Sequence, residues 1–215
     1  MPIFFQHTTP DCQLILWEIQ ETESFFTATV PEFGHLQVPA HPQRRLQFWV
    51  GRFLLRQLMP NFPIGSIEVA ESGRPYLNDD SLYFSISHTD GFAAAIVSQT
   101  QAVGIDVECI SDKPKRVRSK FLIDTEQGIL FKSMESAGYT EHQVYSLAWS
   151  VKEAAFKALH QTGVDFIRDL PIESVDLGGS GWQVIVGGKG TGLRVQTRLT
   201  DVLSLGWCCR PLNGR

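Results

Sequence analysis

The chain has few cysteines, and none of them is spaced to form a structural metal or redox motif. The four cysteines are Cys12, Cys109, Cys208 and Cys209, and no C-x-x-C pair occurs. The first residues also lack the basic region and long apolar run of a secretory leader. We therefore expect reduced thiols, neither a disulfide framework nor a zinc site, and a cytoplasmic location.

The chain also lacks an excess of positive charge and any long apolar run. Its formal net charge of -4 argues against a protein that binds nucleic acid over its whole surface. No segment approaches the ~20 apolar residues that a membrane span needs. What it does have is 43% hydrophobic content and five tryptophans in 215 residues, which is enough for a sizeable core. We expect a folded protein with neither nucleic-acid nor membrane partners.

Hydrophobic periodicity predicts strands and helices in both halves of the chain. Residues 41–59 have apolar positions at helical spacing and end at Pro60. Asp90-Gly91 is a strong hairpin signal between strands at 82–87 and 92–97. The other predicted elements are strands near 12–19, 102–110, 173–177, 182–186, 192–197 and 203–208, and helices at 124–138 and 141–159.

This order of elements indicates an α+β fold with two similar lobes. Each half reads roughly as strand, helix and strands, and the halves meet near residue 100. We expect an N-terminal lobe at 1–101 and a C-terminal lobe at 102–215, related by a pseudo-twofold. Each lobe is predicted to be a small, mainly antiparallel sheet packed with helices.

Two carboxylates interrupt the otherwise apolar strand "AVGIDVECI" at 102–110. Asp106 and Glu108 are two residues apart, so they point to the same face of the strand. Like charges so placed repel and raise one another's pKa. Taken alone, the pair fits a solvated sheet face better than a functional site.

The 141–159 helix adds a third carboxylate and a lysine on its polar side. Glu153 and Lys157 are an i, i+4 pair, which on an ordinary helix is a surface ion pair worth ~0.3–0.5 kcal/mol. The sharper interpretation is a metal-ligand carboxylate beside a phosphate-binding ammonium. Three carboxylates converging on one point would favour it, since Mg²⁺ takes oxygen ligands and bridges carboxylates to phosphates.

Two segments together resemble the bipartite signature of 4′-phosphopantetheinyl transferases. They are "GIDVE" at 104–108 and "WSVKEAAFK" at 149–157, about forty residues later. The chain length resembles that of the larger, two-lobed, Sfp-type branch. Further matches occur in the family's order, at the arginine-bearing helix 41–59, "ESGRPYL" (71–77), "FSISHTDG" (84–91) and "FLIDTEQ" (121–127).

The resemblance implies a holo-[acyl-carrier-protein] synthase type of reaction at an interface between the lobes of a monomer. Such enzymes move the phosphopantetheine arm of coenzyme A onto a serine of an apo acyl, peptidyl or aryl carrier protein, releasing adenosine 3′,5′-bisphosphate. It makes Asp106, Glu108 and Glu153 the ligands of Mg²⁺ or Mn²⁺, and Lys157 a catalytic phosphate contact. Glu153, Glu126 and a metal-bound water remain alternatives for the general base.

The resemblance also implies a set of coenzyme A contacts in the N-terminal lobe. His88 would contact a phosphate, and Arg44, Arg45 and Arg52 are candidates for the ribose 3′-phosphate. The adenine nucleotide end would be lined by Gly73, Arg74, Pro75 and Ser87. The alternatives are a plain turn at 73–75, a turn-capping histidine and a solvated helix face.

A basic segment with an apolar tail follows the carboxylate strand. The residues between Lys113 and Lys120 include no acid. Such a run is usually a solvated surface, but carrier proteins are acidic around the helix after the modified serine. Charge steering and apolar anchoring would suit such a partner. The predicted carrier contacts are Lys113, Lys115, Arg116, Arg118, Phe121 and Leu122.

Two other functions compete with this interpretation. A metal-dependent nuclease commonly has a lysine two residues after its second acid, and Ile110 occupies that position here. A non-catalytic relative that binds carrier proteins or coenzyme A is the other alternative. The sequence leaves open whether the carriers serve fatty acid, polyketide, nonribosomal peptide or glycolipid synthesis.

Overall fold

The chain divides into two compact units in the computed structural model. Unit 1 is Met1–Gln101 and unit 2 is Ala102–Arg215. The structure describes residues 3–29, 38–71, 73–79, 81–134, 137–178, 181–187 and 192–212. Ser72, which belongs to the "ESGRPYL" match, lies outside the described residues.

Unit 1 is built on a four-stranded antiparallel sheet of order β1-β2-β6-β5. The predicted hairpin is confirmed, since β5 pairs with β6 and Gly91 has a φ of 70° in the connecting turn. A short β3-β4 pair completes the unit. Its elements are β1 (Ile3–Thr8), β2 (Gln13–Glu18), α1 (Glu23–Thr29), α2 (Pro42–Leu58), β3 (Glu68–Val69), β4 (Pro75–Tyr76), β5 (Tyr83–Thr89) and β6 (Phe92–Ser98).

Helix α2 provides much of the unit 1 core. Its Pro42 lies in the first turn, where a missing backbone N–H costs little. Val50, Phe53 and Leu54 are buried against the sheet, and the Phe53 ring meets Trp17 edge-on with centroids 5.1 Å apart. The predicted helix at 41–59 is thereby confirmed to within a residue at each end.

Unit 2 has a five-stranded sheet of order β7-β11-β10-β9-β8. The pairs β8-β9, β9-β10 and β10-β11 are antiparallel. Its elements are β7 (Gln101–Cys109), α3 (Lys113–Arg116), α4 (Asp124–Met134), α5 (Glu141–Leu159), β8 (Ile172–Gly178), β9 (Gly181–Val186), β10 (Leu193–Leu199) and β11 (Leu203–Pro211).

Helix α5 is the central helix of unit 2. It starts with a capping box in which Thr140 and Gln143 satisfy each other's backbone N–H groups. Its inner face, including Val144, Leu147 and Val151, is buried in the core. It ends at His160, which adopts the left-handed conformation with a φ of 55°.

The α+β class and the antiparallel sheets packed with helices are as the sequence predicts. The helix predicted at 124–138 is described over Asp124–Met134, and residues 135 and 136 lie outside the described residues. Strand β1, the seven-residue helix α1 and the two-residue strands β3 and β4 were not predicted, because short elements carry little periodicity. Among the described residues, no helix combines the length and apolar character needed to cross a bilayer.

Candidate active site

The candidate site is built where β7 meets α5. Gly104 allows this close approach, because a Cβ at that position would lie 1.9 Å from the carbonyl oxygen of Ala154 and 2.7 Å from the amide of Ala158. Asp106 and Glu108 follow on the same strand face as Gly104. The strand therefore presents both carboxylates towards the helix that carries Glu153 and Lys157.

Lys157 joins the helix to the carboxylate strand. Its Nζ donates to Asp106 Oδ1 at 2.7 Å and to the carbonyl oxygen of Ile105 at 3.1 Å. Asp106 is only 6% exposed, so this ion pair is shielded from water. The i, i+4 neighbours Glu153 and Lys157 thus belong to a cluster that includes the strand, which a plain surface ion pair would not.

The three carboxylates act on one another electrostatically. Burial, reinforced by Asp106 and Glu108, raises the pKa of Glu153 to about 7, against the opposing charges of Lys157 and Lys113. Burial also raises the pKa of Glu108, where Lys113 opposes it and Asp106 adds to it. Lys113 Nζ lies 3.9 Å from Glu108 Oε1. The cluster therefore carries more negative charge than its own lysines neutralise.

The donor set suits a hard divalent cation. In the described part of the chain, no three His, Cys, Asp or Glu side chains already form an arrangement that would hold a metal ion. The carboxylates of Asp106, Glu108 and Glu153 nevertheless feel one another's charge, and a raised pKa is the expected result when buried carboxylates lack a compensating cation. Oxygen donors of this kind are the ligands that Mg²⁺ prefers.

Glu126 lies in a buried ion pair with Lys152. Its Oε1 accepts from Lys152 Nζ at 2.5 Å and from the Ile172 amide, and its Oε2 accepts from the Ile123 amide. The side chains of Lys152 and Glu126 are 0% and 2% exposed. The general-base assignment of Glu126 stays a prediction, and these contacts favour a structural role.

Lys152 lies on the same helix, within the second signature segment, and the sequence interpretation assigns it no role. Its Nζ also donates to the carbonyl oxygens of Phe121 at 2.6 Å and Phe166 at 2.9 Å, so all three of its protons have partners. The ammonium therefore links the loops that contain Phe121 and Phe166 to α5, one residue before Glu153. Removing one partner of such a buried pair is strongly destabilising.

Two aromatic side chains on the polar side of α5 are covered from within unit 2. Trp149 lies edge-on to Phe121, with ring centroids 5.0 Å apart, and Phe166 contacts both Trp149 and Phe156. The loop that precedes β8 thus supplies a cover that the sequence did not identify.

The basic segment is partly neutralised by its own neighbours. Lys115 pairs with Glu141 at 2.6 Å, and Arg116 pairs with Asp112. Within the described ranges, no ion pair of Arg118 or Lys120 is found, and both side chains are exposed. Apart from the exposed Lys113, which lies 3.9 Å from Glu108 Oε1, the positive charge available to a partner is therefore concentrated at these two residues.

The apolar tail of the segment differs from the sequence interpretation. Phe121 and Leu122 are 1% and 3% exposed and belong to the unit 2 core, so a partner does not reach their side chains in this conformation. Ile123 is 43% exposed. The sequence could not distinguish the three, because each is equally apolar and only the packing of α4 and α5 decides which one is covered.

The arginines predicted to bind the 3′-phosphate have three different environments in unit 1. Arg44 is exposed on the first turn of α2, whereas Arg45 Nε donates to Glu23 Oε1 at 2.8 Å. Arg52 is buried, with its guanidinium 3.3 Å from the Phe48 ring centroid and a pKa that burial lowers to about 10. Of the three, Arg44 is the most accessible to an anion.

The remaining predicted coenzyme A contacts lie on a hairpin and a strand of unit 1. Gly73 adopts a φ of 83° in the turn before β4, and among the described residues no atom beyond its chain neighbours lies within 4 Å of where a Cβ would be. Arg74 is half-buried, and burial lowers its pKa. Ser87 is buried and His88 exposed on β5, opposite Ala94 and Ala93.

Two family models match the chain, one in each of the two units. Residues 102–198 match the 4′-phosphopantetheinyl transferase superfamily, and residues 35–98 match the 4′-phosphopantetheinyl transferase N-terminal domain. The chain belongs to the 4′-phosphopantetheinyl transferase superfamily. No curated protein matches the chain significantly.

Membership confirms the family that the two signature segments indicated. The protein is a transferase of the phosphopantetheinyl type, and coenzyme A is the substrate of this family. The match of an N-terminal domain model ahead of the superfamily model fits the two-domain, Sfp-type branch. Both signature segments, 104–108 and 149–157, fall inside the superfamily match.

Proposed function

We propose that this transferase moves the 4′-phosphopantetheine arm of coenzyme A to a serine of an apo acyl, peptidyl or aryl carrier protein. The supporting observation is the cluster of Asp106, Glu108, Glu153 and Lys157, held together by the contact of β7 with α5. It places carboxylates and an ammonium together at the residues of the family signature. The products are the holo-carrier and adenosine 3′,5′-bisphosphate.

Asp106, Glu108 and Glu153 would hold one Mg²⁺ or Mn²⁺ ion. The raised pKa values of Glu108 and Glu153 support this assignment, because burial and neighbouring negative charge disfavour their ionised forms and a bound cation would offset both effects. When bound, the ion supplies charge neutralisation at the pyrophosphate of coenzyme A.

The chain's own residues would supply proton transfer and phosphate binding. The serine Oγ forms a bond to the phosphorus that carries the pantetheine, and the bond from that phosphorus to the bridging pyrophosphate oxygen breaks. Glu153 is the proposed acceptor of the serine proton, since a general base must be ionised and a nearby cation favours the carboxylate form of Glu153. Lys157 and His88 would contact phosphate oxygens.

Residues of unit 1 would hold the nucleotide end of coenzyme A. We assign the adenine end to Gly73, Arg74, Pro75 and Ser87, and the 3′-phosphate to the arginines of α2, with Arg44 foremost. The open space around Gly73 supports the first assignment, because a ligand can approach the backbone there. The exposure of Arg44 supports the second.

The deciding experiment is a transfer assay read by mass. The protein is incubated with coenzyme A, Mg²⁺ and an apo carrier protein, and the carrier is weighed. We expect the carrier to gain one phosphopantetheine arm, and we expect this gain to fall at least ~100-fold in Asp106→Ala and Glu153→Gln. Chelation of the metal should abolish it reversibly.

A matched variant separates chemistry from folding. Asp176→Asn removes an exposed carboxylate from β8, outside the cluster, and should transfer at the wild-type rate. If several apo carriers of different types gain no mass with the wild-type protein, transfer is excluded and a non-catalytic binding relative remains. Binding of coenzyme A, measured by calorimetry, tests that second function directly.

A further inference from the structure

Lys157 already places a positive charge on the carboxylate cluster. Its Nζ is 2.7 Å from Asp106 Oδ1 and 3.1 Å from the Ile105 carbonyl oxygen. The pair is shielded, since the side chains are 22% and 8% exposed. Its charge also acts on Glu108 and Glu153. The ammonium therefore stands where a metal cation would be attracted.

A second lysine near the cluster provides a natural comparison. Lys113 Nζ lies 3.9 Å from Glu108 Oε1, but its side chain is 73% exposed. Its charge opposes the raised pKa of Glu108, yet water screens it, so a cation that approaches the carboxylates is repelled less by Lys113 than by a shielded ammonium. Lys157 differs because it donates a short, shielded, charge-assisted hydrogen bond to one of the carboxylates.

A divalent cation and the Lys157 ammonium compete for the same carboxylate. Asp106 Oδ1 faces the ammonium, and two like charges sharing one buried carboxylate repel strongly. Lys157 must therefore give up its bond to Asp106, wholly or in part, for a cation to be held there. An ammonium that loses this partner has a proton to satisfy besides the one donated to the Ile105 carbonyl oxygen, and phosphate oxygens are suitable acceptors.

We infer that Lys157 occupies the carboxylate cluster in place of the divalent cation and moves to a phosphate of the substrate when the cation binds. This inference rests on the metal site of the proposed function. It makes the two binding events cooperative, because the cation releases the lysine that the phosphate needs. By linkage, substrate phosphate strengthens cation binding by the same factor.

The first test measures Mn²⁺ binding to the metal-free protein without coenzyme A. Free Mn²⁺ is followed by electron paramagnetic resonance for the wild type, Lys157→Met and Lys113→Met. We expect Lys157→Met to bind Mn²⁺ about tenfold more tightly or better, because the competing ammonium is gone. Lys113→Met should gain less than about threefold, since it removes only a screened charge.

The second test measures how far Mn²⁺ strengthens coenzyme A binding, by calorimetry with and without saturating Mn²⁺. In the wild type the gain should exceed that in Lys157→Gln, which has no ammonium to release. If Lys157 contacted phosphate without ever occupying the cluster, Lys157→Gln would lower coenzyme A affinity equally with and without Mn²⁺. Lys157→Gln also repeats the first test with a polar side chain, should Lys157→Met fold poorly.

The outcomes separate this inference from the proposed function. If Mn²⁺ binds the wild type and Lys157→Met equally, or binds the variant more weakly, the inference is wrong and the metal site stands. If Mn²⁺ binds neither protein, or binds Glu153→Gln as well as the wild type, the proposed metal site itself fails and the inference fails with it. Tighter binding confined to the Lys157 variants supports both.

Discussion

Glu153 is a residue whose chemistry is strongly changed by its surroundings. It is one of three carboxylates that cluster with the Lys157 ammonium. Its pKa rises from 4.5 to about 7 because burial and two negative neighbours disfavour the charged form. Lys157 and Lys113 oppose this rise without cancelling it. Without a cation, the folded protein should therefore be destabilised by its own site at neutral pH.

A pH-dependent stability difference follows for Glu153→Gln in chelator. Because the folded pKa lies above the unfolded value, folding takes up a proton between pH 4.5 and 7, and stability falls as pH rises through that window. Glu153→Gln has no carboxyl group to ionise at this position, so it does not lose this part of the free energy of unfolding. Its free energy of unfolding should exceed that of the wild type by about 1–3 kcal/mol at pH 8 and by much less at pH 5.

Urea denaturation at the two pH values measures this difference. Glu173→Gln, which alters an exposed carboxylate, should match the wild type at both. A gain for Glu153→Gln that is the same at pH 5 and pH 8 would show that its charge is not the cause.

At the scale of elements, the site depends on how closely β7 and α5 approach. Gly104 has no side chain to keep them apart, and Gly206 on β11 makes a similar approach, since a Cβ there would lie 2.8 Å from the Ser150 carbonyl oxygen. A strand and a helix in such close contact hold their side chains in fixed register. Gly104 thus belongs to the site although it has no side chain to contribute.

Gly104→Ala should disturb the site without removing any of its charged groups. Its Cβ would collide with helix backbone, which must shift, at a cost of about 1–3 kcal/mol. A displaced α5 moves Glu153 and Lys157 away from Asp106, so we expect transfer to fall at least ~10-fold. Thermal unfolding and the mass assay measure the two effects.

Gly128→Ala is the matched control, because in the described part of the chain no atom outside its own helix turn lies within 4 Å of where a Cβ would be, on the exposed side of α4. It should leave transfer unchanged and stabilise the helix slightly, by about 0.5–1 kcal/mol. Equal transfer by Gly104→Ala and the wild type would show that close packing of β7 on α5 is not required.

The distribution of charge over the molecule affects its association with an acidic carrier protein. With a net charge of -4, the chain as a whole repels an acidic partner at long range. Attraction must come from a local positive surface, and the segment 113–120 provides one after its internal ion pairs are counted. Arg118 and Lys120 carry this charge beside the exposed Ile123.

Arg118→Glu with Lys120→Glu should raise the KM for the carrier about tenfold or more and leave coenzyme A binding unchanged. The wild-type KM should also rise with salt, and that dependence should weaken in the double variant. Lys132→Glu, an exposed lysine on α4, is the matched charge reversal and should change neither value appreciably. An unchanged carrier KM in the double variant would remove this surface from the proposal.

Much of the fold was predictable because its elements are long or have strong turn signals. The Asp90-Gly91 hairpin, α2, α5 and the strands of unit 2 carry clear periodicity or left-handed turn residues. Helix α1 and strands β3 and β4 were missed because two to seven residues hold too little pattern. The family was also predictable, since its two signature segments are local in sequence.

The sequence by itself determined which charged residues belong to the signature and which family they indicate. The tertiary structure decided how they are used. It joined Lys157 to Asp106, enclosed Glu126 with Lys152, turned Arg45 to Glu23 and buried Phe121 and Leu122 while leaving Ile123 exposed. The physical reason is that pairing and burial depend on contacts between segments distant in the chain, and residue type alone does not encode which of several similar side chains is covered.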